Sequence, residues 1–293
     1  MIKREPVIVV DGLTLRYSGA EQRALDSVSF EVGKGEVFGI LGSTGAGKST
    51  LLKVLAGVIP HHEQEAAYRG RIEMLGKSLD EYGGLSDIAS NVGLVLQDPE
   101  VQLVNTMVRE ELTWGMENKG VPVREMQHRL DRAAKLFDIE ELLDRFTHAL
   151  SGGQKQRVVV ASIFCLNPAL ILLDEPTSEL DPAGTESVME AIRLLAAEGV
   201  TVVLVEHKVE ELALYADRLM VLDKGKVADI GTPREVFTGD QAPYRPQVLE
   251  IALGLKALSS WPSETLPLSL DEAVEIWGSV TSQDSPESQE VAR

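Results

Sequence analysis

Cysteine occurs once in these 293 residues, as Cys165. No internal disulfide is therefore possible, which excludes a small disulfide-stapled secreted scaffold and fits a reducing compartment. Cys165 stands between Phe164 and Leu166 and reads as a small buried filler rather than a reactive thiol. Long apolar runs are missing too. The most apolar stretch, residues 158–173, is cut by Asn167-Pro168, and each piece falls short of the roughly 20 residues that a spanning helix needs. Lys3 and Arg4 precede an apolar run of residues 7–10 only, where a secretory leader needs about 7–15 residues. The chain is expected to stay in the cytosol. Positive charge is the third shortage: 28 Lys and Arg against 46 Asp and Glu leave a net charge of −18. So acidic a chain is a poor partner for nucleic acid and is repelled by anionic lipid. Any work at a membrane is expected to run through a protein partner, with no direct lipid anchor.

The length suits one large domain or a domain with an appendage. Residues 7–10, 13–17 and 28–32 read as short strands, and a strand over residues 36–41 runs into a glycine loop. Leu51, Leu52, Val54 and Leu55 continue as a helix. Residues 66–95 alternate and carry Gly70, Gly76 and Gly83-Gly84, which predicts a small, mostly antiparallel insertion. From about residue 107 to 164 the pattern is helical; Met126, Leu130, Ala133 and Phe137 share one face. Residues 169–173 and 200–205 are near-continuous aliphatic runs, the mark of parallel strands covered on both faces. Thr232-Pro233 with Glu235 forms a capping box with proline at the first helical position.

Composition shifts after Gly239. Val248, Ile251, Ala252 and Leu255 fit one helix, and Ser269 with Glu272 caps a second helix carrying Leu270, Ala273, Val274 and Trp277 at helical spacing. The division expected is a main domain over 1–239, with a helical subdomain at about 100–164, a helical extension over 240–281 and a disordered tail over 282–293.

Gly42-Ser43-Thr44-Gly45-Ala46-Gly47-Lys48-Ser49 matches the phosphate-binding loop, with a strand before it and a helix after it. Its glycines let backbone N–H groups converge on phosphate oxygens at a helix N-terminus. Lys48 is expected to reach the β- and γ-phosphates, the Ser49 hydroxyl to ligate Mg2+, and Thr50 to belong to the same nucleotide-binding set. Leu170-Ile171-Leu172-Leu173-Asp174-Glu175 is an apolar strand ending in two carboxylates. Asp174 suits the magnesium side of the site and Glu175 the general base for water. His61 and His62 are adjacent loop histidines without placed partners and read as solvated rather than metal ligands.

With Leu150-Ser151-Gly152-Gly153-Gln154, these motifs resemble the nucleotide-binding subunit of ABC transporters over about residues 7–237. The resemblance implies an α/β P-loop NTPase fold: a mostly parallel RecA-like core sheet, an antiparallel β subdomain and a helical subdomain. It implies that Gln97 links Mg2+ to the transporter interface. Asp181 belongs to the D-loop, His207 contacts the γ-phosphate and Tyr17 stacks on adenine. It further implies ATP as substrate and a head-to-tail pair of cassettes, identical or paralogous. In that pair Ser151, Gly152, Gly153 and Gln154 serve the nucleotide held by the other subunit.

A narrower likeness is to the ATPases of energy-coupling factor transporters, which include cobalt and nickel importers. It rests on Gln97-Asp98-Pro99-Glu100-Val101-Gln102-Leu103, on residues 112–118, and on the tail segments Pro246-Gln247-Val248 and Leu266-Pro267-Leu268-Ser269. Ser269 departs from the threonine often found there. This likeness implies import of a vitamin or transition metal ion, with a membrane coupling subunit and a membrane substrate-binding subunit as partners. The place implied is the cytoplasmic face of the membrane. Asp98, Glu100 and Glu110 or Glu111 are expected to receive basic residues of the membrane subunit. Another transporter type stays open as an alternative. A DNA-repair member would need a long coiled coil, and a translation factor two cassettes.

Overall fold

The computed structural model describes residues 4–63, 66–239 and 242–281, the side chains of 280 and 281 excepted. The tail expected to be disordered lies outside the described residues. Two sheets organise the chain. The larger contains β3 (Val37–Leu41), β6 (Val92–Val95), β7 (Leu170–Asp174), β8 (Thr201–Val205), β9 (Arg218–Asp223) and β10 (Lys226–Gly231), in the order β10-β9-β3-β8-β7-β6. All its neighbours are parallel except β9 with β10. The smaller is antiparallel: β1 (Pro6–Tyr17), β2 (Leu25–Gly33), β4 (Ala66–Met74) and β5 (Lys77–Ser78), in the order β2-β1-β4-β5.

The parallel strands explain their own sequences. Every residue of β3, β7 and β8 is buried. Successive side chains feed opposite cores, as the pleat requires. Leu170 and Leu172 join the cluster under α1 (Lys48–Leu55) and the antiparallel sheet. Ile171 and Leu173 join the cluster with α6 (Gly152–Cys165) and α7 (Pro182–Ala197). A strand with apolar partners on both faces has no polar positions to alternate with.

Two sequence expectations are corrected here. The segments 7–10 and 13–17 are one strand. Gly12, at φ 62°, lets β1 shift register between Val10 and Leu13 without ending. The antiparallel insertion is also shorter than residues 66–95. The short helix α2 (Val58–His61) precedes it; it ends at Ser78, and beyond α3 (Leu85–Ala89) residues 92–95 form β6, the parallel edge strand beside β7. Its partner lies far along the chain, so nothing local distinguishes it from the insertion.

The helical segment comprises α4 (Val108–Asn118), α5 (Val123–Leu136) and α6. Leu130, Ala133 and Phe137 are buried and Met126 packs partly against the same core, as their spacing predicts. Cys165 is fully buried, and burial pushes its thiol up to about 12. Beyond α8 (Val209–Tyr215) and β10, α9 (Pro233–Thr238) starts with the expected capping box: Glu235 N–H donates to Thr232 Oγ1 and Thr232 N–H to Glu235 Oε2.

α10 (Gln247–Ala257) and α11 (Leu270–Thr281) follow where helices are expected, and Glu272 N–H donates to Ser269 Oγ at 3.2 Å. Leu249 and Ala252 are buried on α10 while Ile251 is 62% exposed; on α11 Ala273 is buried while Leu270, Val274 and Trp277 face solvent. Leu249 and Leu268 enter the same apolar cluster as α6 and α7. Arg234 of α9 fastens the second helix by donating to Leu266 O and to both oxygens of Glu272.

Candidate active site

The C-terminal ends of four parallel strands converge on one crevice, the usual place for a ligand in an open α/β sheet. β3 delivers residues 42–49, β6 delivers Gln97, β7 delivers Asp174 and Glu175, and β8 delivers His207. A cavity of about 520 Å3 is lined there by Ala24, Thr44, Gly45, Gly47, Lys48, Ser49, Thr50, Gln97, Glu175 and His207.

The loop is glycine-rich for steric reasons. Gly45 has φ +80° and Gly47 φ +106°, a region that side-chain-bearing residues avoid. A Cβ on Gly42 would stand 2.3 Å from Leu222 O, and one on Gly47 2.5 Å from Ala24 O. Ala46 is buried, and its carbonyl accepts from Gly225 N–H at 2.9 Å. Lys48, 6% exposed, donates Nζ–H to Gly42 O at 2.8 Å and to Ser43 O at 3.2 Å, which curls the loop around its ammonium. Burial lowers its pKa, while Glu175 and Asp174 pull it back up.

Asp174 is buried, and its Oδ1 has no hydrogen-bond partner. Burial raises its carboxyl, and a hydrogen bond from Ser49 opposes the rise. A buried carboxylate oxygen without a donor is costly by itself. Beside a hydroxyl at the start of α1, it fits the donor set of a hard, oxygen-bound cation such as Mg2+. Among the described residues no group of three or more His, Cys, Asp and Glu could hold a metal, so phosphate oxygens would complete such a site.

Glu175 is the junction of the crevice. Its backbone sits at φ 51°, a conformation few non-glycine residues hold without cause. Its N–H donates to Val205 O at 2.9 Å. Its Oε2 accepts from Gln97 Nε2 at 2.7 Å, and its Oε1 lies 2.7 Å from His207 Nε2. His207 Nε2 is also 3.5 Å from Lys48 Nζ. Residues from four separate strand ends are thus chained side by side.

Tyr17, partly buried, does not line the cavity; its hydroxyl meets Thr50 Oγ1 at 3.2 Å. Ser151, Gly152, Gly153, Gln154 and Asp181 also lie outside its lining. Ser151 caps α6 in a reciprocal box: Gln154 N–H donates to Ser151 Oγ, and Ser151 N–H to Gln154 Oε1. Asp181 caps α7 by accepting from Gly184 N–H at 2.7 Å. The signature packs on the D-loop of its own chain, since a Cβ on Gly153 would stand 3.2 Å from Leu180 Cδ2.

The acidic residues beside Gln97 are not the free cluster expected. Asp98 accepts from Glu100 N–H, Glu100 pairs with Lys155, and Glu111 is buried, accepting from Val104 N–H, Asn105 N–H and Asn105 Nδ2. Glu111 therefore faces inward, since unpaired backbone donors need an acceptor there.

Sequence reasoning missed Ala24, whose place on the cavity wall has no local signal, and Glu206. Glu206 is 2% exposed. Its Oε1 accepts from Thr177 N–H at 3.2 Å and Thr177 Oγ1–H at 2.6 Å, and its Oε2 accepts from His207 N–H at 3.2 Å. Burial raises its carboxyl against these donors and Lys208. A charged residue directly after a fully buried strand is the signal that could have flagged it.

Comparison with known proteins agrees with this geometry. The family model described as ABC transporter matches residues 25–178. The energy-coupling factor transporter ATP-binding protein EcfA1 of Bacillus licheniformis is 42% identical, over 82% of this chain and 83% of its own length. Among solved structures, CbiO1 of Clostridium perfringens, described as part of the ABC transporter complex CbiONQ, aligns at a TM-score of 0.74 and 32% identity. It covers 87% of this chain and 98% of its own. An ATP-binding cassette solved as a dimer with ADP and phosphate aligns at a TM-score of 0.67 and 25% identity, over 78% of this chain and 99% of its own. A phosphate loop, paired strand-end carboxylates and a serine-glycine signature, set on this sheet, have one common explanation: the chain belongs to the ABC transporter family and is an ATP-hydrolysing subunit.

Proposed function

We propose that this subunit energises import of a small solute, a vitamin or a transition metal ion, by an energy-coupling factor transporter. It acts as one half of a head-to-tail pair of cassettes at the cytoplasmic face of the membrane. The loop N–H groups and Lys48 hold the phosphates of ATP, Thr50 flanks them, and Tyr17 meets the adenine. Ser49, Asp174 and Gln97 would hold Mg2+, and the chemistry Mg2+ supplies when bound is neutralisation of phosphate charge. Glu175 takes the proton of the attacking water while His207 steadies the γ-phosphate. Both oxygens of Glu175 are held by Gln97 and His207, and each keeps a second lone pair with which to receive the water proton. The bond from Gln97 ties the base to the segment through which the cassette would meet its membrane subunit.

The observation that carries this reading is the junction at Glu175. The separation of Ser151–Gln154 and Asp181 from the cavity, with Ser151 exposed at the start of α6, supports service to a partner's nucleotide. Among the described residues no helix is long and apolar enough to cross a membrane, which supports docking on membrane subunits. Val101, Val104, Trp114 and Phe146, all more than 40% exposed around the Gln97 segment, are the surface for it, with Glu110 beside them. Co-purification from native membranes in mild detergent, with mass spectrometry, tests the assignment. A coupling subunit, a cargo-binding subunit and a cassette pair are the expected companions; recovery without any membrane protein contradicts it.

A further inference from the structure

A carboxylate buried beside the crevice, that of Glu206, has no part in the chemistry above. Glu206 joins two loops that must act together. One oxygen holds Thr177, two residues beyond Glu175; the other holds the backbone N–H of His207. Lys208, next along, donates to Thr177 O at 3.0 Å and to Thr185 Oγ1 at 3.2 Å. Thr185 lies in the first turn of α7, where its N–H donates to Asp181 O at 2.9 Å. The loop after β7, the loop after β8 and the D-loop end of α7 are therefore braced through one carboxylate and one ammonium. All three groups on Glu206 are donors, which suits an acceptor-only carboxylate.

We propose that Glu206 is a positioning residue: it sets His207 against Glu175 and, with Lys208, carries displacement of that pair to the D-loop. This rests on the reading of Glu175 and His207 given above. A neutral side chain of the same size would keep the packing. It would not hold the His207 N–H and the Thr177 hydroxyl at once. Glu206→Gln separates these roles: its amide oxygen still accepts from Thr177, but its NH2 faces the His207 N–H and cannot accept from it. Thr177→Val removes the hydroxyl at the other end.

The test measures ATPase kinetics, ATP affinity, thermal melting and His207 amide exchange in the assembled complex. Glu206→Gln is expected to lower kcat about tenfold with ATP affinity and melting nearly unchanged, and to speed His207 amide exchange. Thr177→Val is expected to lower kcat similarly, and the double variant to lose little more than the worse single one, because both cut the same brace. Turnover within about twofold of wild type in Glu206→Gln, fully additive losses, or parallel falls in kcat, affinity and melting would overturn it. Glu175→Gln, run alongside, separates the failures. If it is inactive while Glu206→Gln is normal, only the positioning role falls; if it is active, the reading of the site falls with it.

Discussion

Asp217 shows how much a single carboxylate can organise. It accepts from Val37 N–H and Arg4, and its other oxygen accepts from Arg193. Burial would raise its carboxyl, but those donors prevail and hold it below the ordinary value. Its stabilisation is therefore full above the ordinary aspartate range and lost as pH falls through the lower folded-state value. Asp217→Asn is expected to cost about 1–2 kcal/mol at pH 7, discounted for the exposed arginines, with the difference from wild type vanishing in acid. Urea melts at pH 7 and pH 3 check this. Cys165 offers a second residue-scale test. A fully buried thiol pushed up to about 12 is expected to resist thiol reagents in the native protein and to react on unfolding; rapid native labelling, followed by absorbance, would contradict it.

Among the elements, legibility in the sequence followed burial. β3, β7 and β8 could be read directly because both faces are covered, leaving uninterrupted aliphatic runs. The phosphate loop and the Thr232 box were legible because local backbone demands fix those residue types. β6 was not, since its strand partner, β7, is remote in sequence. The helices α10 and α11 were legible by spacing, but both carry apolar residues on more than one side, and periodicity does not say which side meets the core. What does say so is Arg234, whose bonds to Leu266 O and Glu272 draw the α11 start onto α9. Arg234→Ala is expected to leave the melting of the main domain almost unchanged, because the pair is half exposed. Hydrogen exchange over residues 266–281 should rise severalfold. Unchanged protection there would rule out the clasp.

Across the whole molecule, the charge of −18 sets a condition on pairing. Two like copies repel over about a Debye length, roughly 10 Å at 0.1 M salt. ATP-driven association of two copies is therefore expected to strengthen as salt rises from about 0.05 to 0.3 M, the reverse of nucleic-acid binding. Sedimentation velocity of Glu175→Gln with ATP reads it, and weakening with salt would mean that opposed charges, not net repulsion, govern the contact. The proposed pairing rests, in the sequence, on the serine-glycine signature and its resemblance. The junction of Gln97, Glu175, His207 and Lys48 was legible as residues but not as contacts, because strand order alone brings them together. That junction is the centre of the account, and Glu175→Gln in the complex purified from native membranes tests it most directly. ATP binding is expected to stay within about threefold of wild type while steady-state turnover falls at least about a hundredfold and bound ATP remains uncleaved. Wild-type turnover in that variant would contradict it.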